Sequence, residues 1–209
     1  MRVVTLSWEY PPRVVGERSL YIQSLCQKLA GIGFETHVVT YNESLRGVEK
    51  EPSGIIVHRV GNPVKTHFNI LTWVLALSVE FERVCADIHY DAGPIDLLDC
   101  QEWISVPSSI KLSKAFHIPY VMTFHSLEEQ RMSNLDNPMS LTIQHFEQLG
   151  ANSSSIVIVK SEAMKEEVQR LFNLPERKVL CIPQNTYFGK RIAKIYSDLG
   201  KGKSELLDT

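Results

Sequence analysis

Four polar segments hold the residue types from which a binding or catalytic site could be built, and each follows a short β-branched run. The first is Trp8-Glu-Tyr-Pro-Pro-Arg-Val-Val-Gly16-Glu17, a long loop stiffened by prolines, with a single glycine at the entry to a helix. The others are Cys100-Gln-Glu102-Trp103, Thr123-Phe-His125-Ser and Pro183-Gln-Asn185. In an open parallel sheet ligands bind beyond the carboxyl ends of the strands, where successive loops diverge and helix N-termini present unpaired N–H groups. Among the residues these loops carry are Gly16, Glu17, Glu102, Trp103, His125 and Asn185, candidates for a site. Each has a plainer role to weigh against it. Glu17 suits the first turn of a helix, where acids complement the dipole. His125 at a strand end can serve as a structural hydrogen-bonder, and Trp103 as a packing indole.

The elements that must position these loops are legible in the hydrophobic pattern. Apolar, β-branched runs at Val3–Ser7, His37–Tyr41, Ile55–Val60, Ile95–Asp99, Tyr120–Phe124, Ser155–Lys160 and Val179–Ile182 alternate with segments of helical period. Such alternation predicts parallel strands joined by crossover helices, covered on both faces. Ile22, Leu25, Cys26 and Leu29 form one apolar stripe, stopped by Gly31 or Gly33. Further helices are expected from Phe68 to Ala86, from Pro107 through Ala115, from Ser140 to Leu149, after the cap Ser161 with Val168, Leu171 and Phe172 inward, and from Phe188 to Leu199. The fold class is thus α/β: a single Rossmann-like three-layer α/β/α domain with a mostly parallel sheet, plus a C-terminal helix.

Composition excludes several partners. With 22 basic against 24 acidic residues the net charge is −2, too little positive surplus to hold nucleic acid or an anionic membrane. The apolar run from Phe68 to Val79 is well short of the roughly 20 residues of a membrane span and reads as a buried helix containing Trp73. Cys26, Cys85, Cys100 and Cys181 are widely spaced, with no C-x-x-C pair, as buried free thiols in a reducing cytoplasm would be. The N-terminus lacks the apolar segment of a signal peptide, so a cytoplasmic location is expected and the sequons at Asn42 and Asn152 have no consequence.

Taken in order, Trp8-Glu-Tyr-Pro-Pro…Gly16, His37-Val-Val-Thr40, Val57-His-Arg-Val60, Asp96-Leu-Leu…Glu102-Trp103, Ile118-Pro-Tyr-Val-Met-Thr-Phe-His125 and Val179-Leu-Cys-Ile-Pro-Gln-Asn185 resemble the N-terminal, acceptor-side domain of GT-B glycosyltransferases of family four and the glycogen-synthase type. The resemblance covers about Met1 to Asn185. It implies that His125 reaches the donor sugar near its reactive carbon, that Glu102 hydrogen-bonds sugar hydroxyls and that Trp103 stacks on a pyranose face. Three departures qualify it. The family's first loop reads G-G-x-G, whose paired glycines let backbone N–H groups approach a diphosphate. Here Glu17 and Ser19 stand at the second and third glycines. H-x-H-D-W becomes Asp99-Cys-Gln-Glu-Trp103, and P-N-G becomes Pro183-Gln-Asn185.

The resemblance also implies a second, donor-binding domain, for which the 24 residues after Asn185 (209 less 185) leave no room. The expected organisation is a Rossmann-like domain over 1–185, a helix over 186–200 packed on the same domain, like the crossing helix of full-length relatives, and a flexible tail over 201–209. The expected function is a glycogen synthase-like domain that is not catalytic alone. Its partners would be a glucan or oligosaccharide, and a second copy or a protein that brings a donor domain. No cofactor and no metal are expected. The alternatives are the acceptor-side subunit of a two-chain glycosyltransferase, or an unrelated small-ligand or nucleotide-binding module on the same fold.

Overall fold

The computed structural model describes residues 1–66, 68–133 and 136–202. Strands β1 (Arg2–Ser7), β2 (Glu35–Tyr41), β3 (Gly47–Lys50), β4 (Ile56–Val60), β5 (Leu97–Gln101), β6 (Tyr120–Thr123), β7 (Ile156–Val159) and β8 (Val179–Cys181) form one sheet in the order β3-β4-β2-β1-β5-β6-β7-β8. All pairs are parallel except β3 with β4. The helices are α1 (Glu17–Gly31), α2 (Ile70–Asp87), α3 (Val106–Phe116), α4 (Glu128–Arg131), α5 (Pro138–Ser153), α6 (Glu162–Phe172) and α7 (Phe188–Gly200).

The two-residue period of a strand sorts its side chains between two cores. Val3 of β1, with Ile156 and Ile158 of β7, packs with Tyr21, Leu25 and Leu29 of α1 and with Phe188, Ile192 and Tyr196 of α7. Val4 and Leu6, with Val157 and Val159, face Trp73, Phe81, Leu112, Ile143 and Val168 from α2, α3, α5 and α6. Burial of each such side chain stabilises the fold by roughly 1.5–3 kcal/mol. Cys26, Cys85 and Cys100 are buried free thiols, and Trp73 is core.

Helix ends follow local chemistry. Asn69 and Thr72 close a capping box on α2. The Ser161 hydroxyl accepts from the Met164 amide at 3.3 Å, and Pro107 lies in the first turn of α3. α1 ends at Gly31, and Gly33 takes the left-handed φ of 99° that the turn requires.

The structure differs from the sequence expectation in three places. The antiparallel edge strand β3 was not expected, because all four of its residues are exposed and it has no apolar run. The short α4 gave no periodic signal. β5 lies two residues later than expected, so Gln101, expected in the following loop, sits within the buried strand. Among the described residues no helix is long and apolar enough to cross a membrane. The mobile tail expected over 201–209 lies outside the described residues from 203 onward.

Candidate functional site

At the carboxyl end of β1 the chain turns through Ser7, whose hydroxyl donates to the Glu9 carbonyl at 2.7 Å, and directs the Glu9 side chain inward. This carboxylate is fully buried. Its Oε2 accepts the amides of Val15 at 2.9 Å and Gly16 at 3.1 Å, and its Oε1 lies 2.7 Å from Nε of Arg18. The loop's N–H groups at the start of α1 therefore surround an anion that belongs to the chain itself. Gly16 is extended, at φ −158°, and a Cβ there would meet open space. It is the cap of α1 and is exposed, as is Glu17 in the first turn.

Glu102 follows β5 in a left-handed conformation at φ 69°, a strain of about 1–3 kcal/mol that a non-glycine residue sustains only when its surroundings hold it. What holds it is the β6 loop. Its buried Oε1 accepts the amides of His125 at 2.6 Å and Ser126 at 3.0 Å, while Arg18 and Arg131 each approach the carboxylate to 3.8 Å. Burial pushes this carboxyl above the usual range, against the pull of both guanidinium groups and the two amides. Glu102 is thus an internal brace between two loops, with Oε1 already committed. Trp103, only 6% exposed, is stacked on Phe146 at 6.4 Å and 19°, which is the packing role set beside sugar stacking above.

His125 stands at the partly open centre. Its Nε2 is 2.7 Å from Oε1 of Gln101, and its ring meets Tyr21 edge-on at 5.0 Å. Nδ1 is buried and makes no hydrogen bond among the described residues. Burial, with Lys160 and Arg18 adding cationic repulsion, holds the imidazole well below its ordinary pKa, so it is neutral. The Lys160 ammonium lies 4.2 Å from the centre of the Tyr21 ring. Asn185 is exposed and accepts from the Tyr187 amide at 2.9 Å. It reaches the cluster only through α7, where Phe188 packs on Tyr21 at 5.4 Å.

The fold thus gathers Gly16, Glu102 and His125 around Arg18 and leaves Trp103 and Asn185 at the periphery. Sequence reasoning did not single out Glu9, Arg18, Gln101 or Lys160. Glu9 lay within the quoted Trp8-Glu-Tyr-Pro-Pro segment, yet its pairing with Arg18 depends on how the loop closes. Among the described residues no group of His, Cys, Asp and Glu is arranged to hold a metal ion.

Comparison with known proteins addresses family and fold. The model of Glycosyltransferase Family 4 matches residues 19–184. An uncharacterized glycosyltransferase of Methanocaldococcus jannaschii is 33% identical over 182 residues, covering 87% of this chain and 45% of that protein. A glycogen synthase of Mycobacterium tuberculosis is 24% identical over 189 residues, covering 82% and 45% respectively. The chain spans about half the length of these relatives. Among solved structures, sucrose-phosphate synthase from Thermosynechococcus elongatus superposes with a TM-score of 0.75 at 18% identity, covering 88% of this chain and 48% of that one. The catalytic domain of starch synthase IV from Arabidopsis thaliana, bound to ADP and acarbose, gives 0.62 at 12% identity, covering 87% and 51%. At these identities the superpositions speak for the fold, and together with the family match they lead to one conclusion: the chain belongs to glycosyltransferase family 4.

Proposed function

We propose that this domain is the acceptor-side lobe of a glycosyl-transfer cleft, binding a saccharide hydroxyl near His125 and not holding a nucleotide sugar by itself. The observation that carries this reading is the Glu9 carboxylate seated on the Val15 and Gly16 amides. A diphosphate brought to the same N–H groups would meet that charge within about 4 Å, a repulsion of about 4 kcal/mol at intermediate dielectric. A neutral imidazole with a free lone pair suits a neutral hydroxyl instead.

Transfer needs a donor held in line and positive charge on the leaving diphosphate. In this reading those come from a second lobe. The exposed side chains of Val14, Val15 and Phe68, which are 52%, 56% and 93% accessible on the loops at the carboxyl edge, support a surface that another lobe or a second copy covers. Starch synthase IV was solved with acarbose, and glycogen synthase is among the relatives, so glucan oligosaccharides are the class to test.

Isothermal titration with maltooligosaccharides, UDP-glucose and ADP-glucose checks the proposal. Heat from the oligosaccharide alone is expected. Turnover of either nucleotide sugar by the purified chain would overturn it.

A further inference from the structure

Behind His125 runs a chain of buried polar groups that the proposed function does not use. Asp99, in the middle of β5, accepts the Thr5 hydroxyl on Oδ2 at 3.0 Å and the Gln101 side-chain amide on Oδ1 at 2.6 Å. Both Asp99 and Gln101 are 0% exposed. A carboxylate only accepts hydrogen bonds, so the NH2 of Gln101 must face Asp99 and its carbonyl must face the other way. That carbonyl oxygen, also an acceptor only, lies 2.7 Å from Nε2 of His125. The proton between them can come only from the imidazole.

We infer that Gln101 is a positioning residue: clamped by Asp99, it fixes His125 as the Nε2–H tautomer and leaves Nδ1 unprotonated. The opposite tautomer would set two lone pairs against each other at 2.7 Å. A neutral imidazole has one ring proton, and with Nε2 holding it the buried, unpartnered Nδ1 becomes an acceptor with no donor capacity. Gln101 occupies the position where the resembling enzymes have the second histidine of their motif, so the chain assigns to an amide the task of setting a neighbouring tautomer. The tautomer does not depend on the proposed acceptor-side role.

The test is 15N spectroscopy of the full chain labelled at histidine, at mildly alkaline pH so that Asp99, pushed up to about 6 by burial, is ionised. The His125→Asn spectrum identifies the His125 signals by their disappearance. The expected pattern is a protonated Nε2 and an unprotonated Nδ1 in the parent chain, with Gln101→Met moving both shifts toward the values of mixed tautomers. Asp99→Asn, which lets the amide turn over, should move them the same way. A parent chain with Nδ1–H, or a Gln101→Met chain with unchanged His125 shifts, would overturn the inference. Even if neither variant folds, a parent chain with Nδ1–H overturns the inference. A saccharide that binds while the parent shows Nδ1–H defeats this inference and spares the proposed function; the reverse result spares the tautomer and defeats the function.

Discussion

Replacing Glu9 by glutamine removes the charge that organises the first loop without changing its volume. In the parent chain Oε2 accepts two amide hydrogens, at 2.9 and 3.1 Å, and Oε1 pairs with Arg18 at 2.7 Å, with the carboxylate fully buried and Arg18 24% exposed. Hydrogen bonds to a charged acceptor are each worth about 1 kcal/mol more than neutral ones. The glutamine nitrogen would face Nε of Arg18, donor against donor. Breaking a buried ion pair costs about 3–5 kcal/mol, and the partial exposure of Arg18 reduces that figure. We expect a net loss of about 3 kcal/mol, which in a domain of this size lowers the melting temperature by about 6–12 °C. Urea unfolding followed by circular dichroism measures it, with Glu17→Gln as an exposed control expected to lie within about 0.5 kcal/mol of the parent. A Glu9→Gln chain as stable as that control would refute the claim that the loop is built on an internal anion.

Two further outcomes follow from the same reasoning. Glu147, pushed up to about 7 by burial, shares one guanidinium, Arg131, with Glu102 and Glu128, so that cation cannot neutralise all three. A carboxyl whose folded pKa lies above its unfolded value contributes stability below about pH 4.5 that is lost as pH rises through about 7. Urea midpoints across that window should therefore fall less steeply for Glu147→Gln than for the parent, and equal slopes would contradict the assignment. Gly150→Ala places a Cβ 2.5 Å from Cγ2 of Val106, where α5 meets α3, and should cost about 1–3 kcal/mol by overpacking. An unchanged urea midpoint would show that Val106 can move aside.

The sequence alone determined most of the framework. Seven of the eight strands among the described residues, and every long helix, announce themselves because a buried strand must be continuously apolar and a surface helix must repeat every three to four residues. β3 stayed silent for the same reason: an exposed edge buries nothing and so leaves no periodic trace. The expected β5 stopped at Asp99 because Gln101 is polar, although the fold buries Gln101 completely.

The candidate site was named from its loops, but its working parts are pairings across the sheet. Thr5 meets Asp99 at a separation of 94 residues, and Gln101 meets His125 at 24. Those distances are set by strand register and by the left-handed turn at Glu102, which swings a carboxylate inward where the sequence allowed a solvated acid. Residue type specifies which hydrogen bonds a side chain can make. Only the closed fold, by removing water, decides which of them it must make.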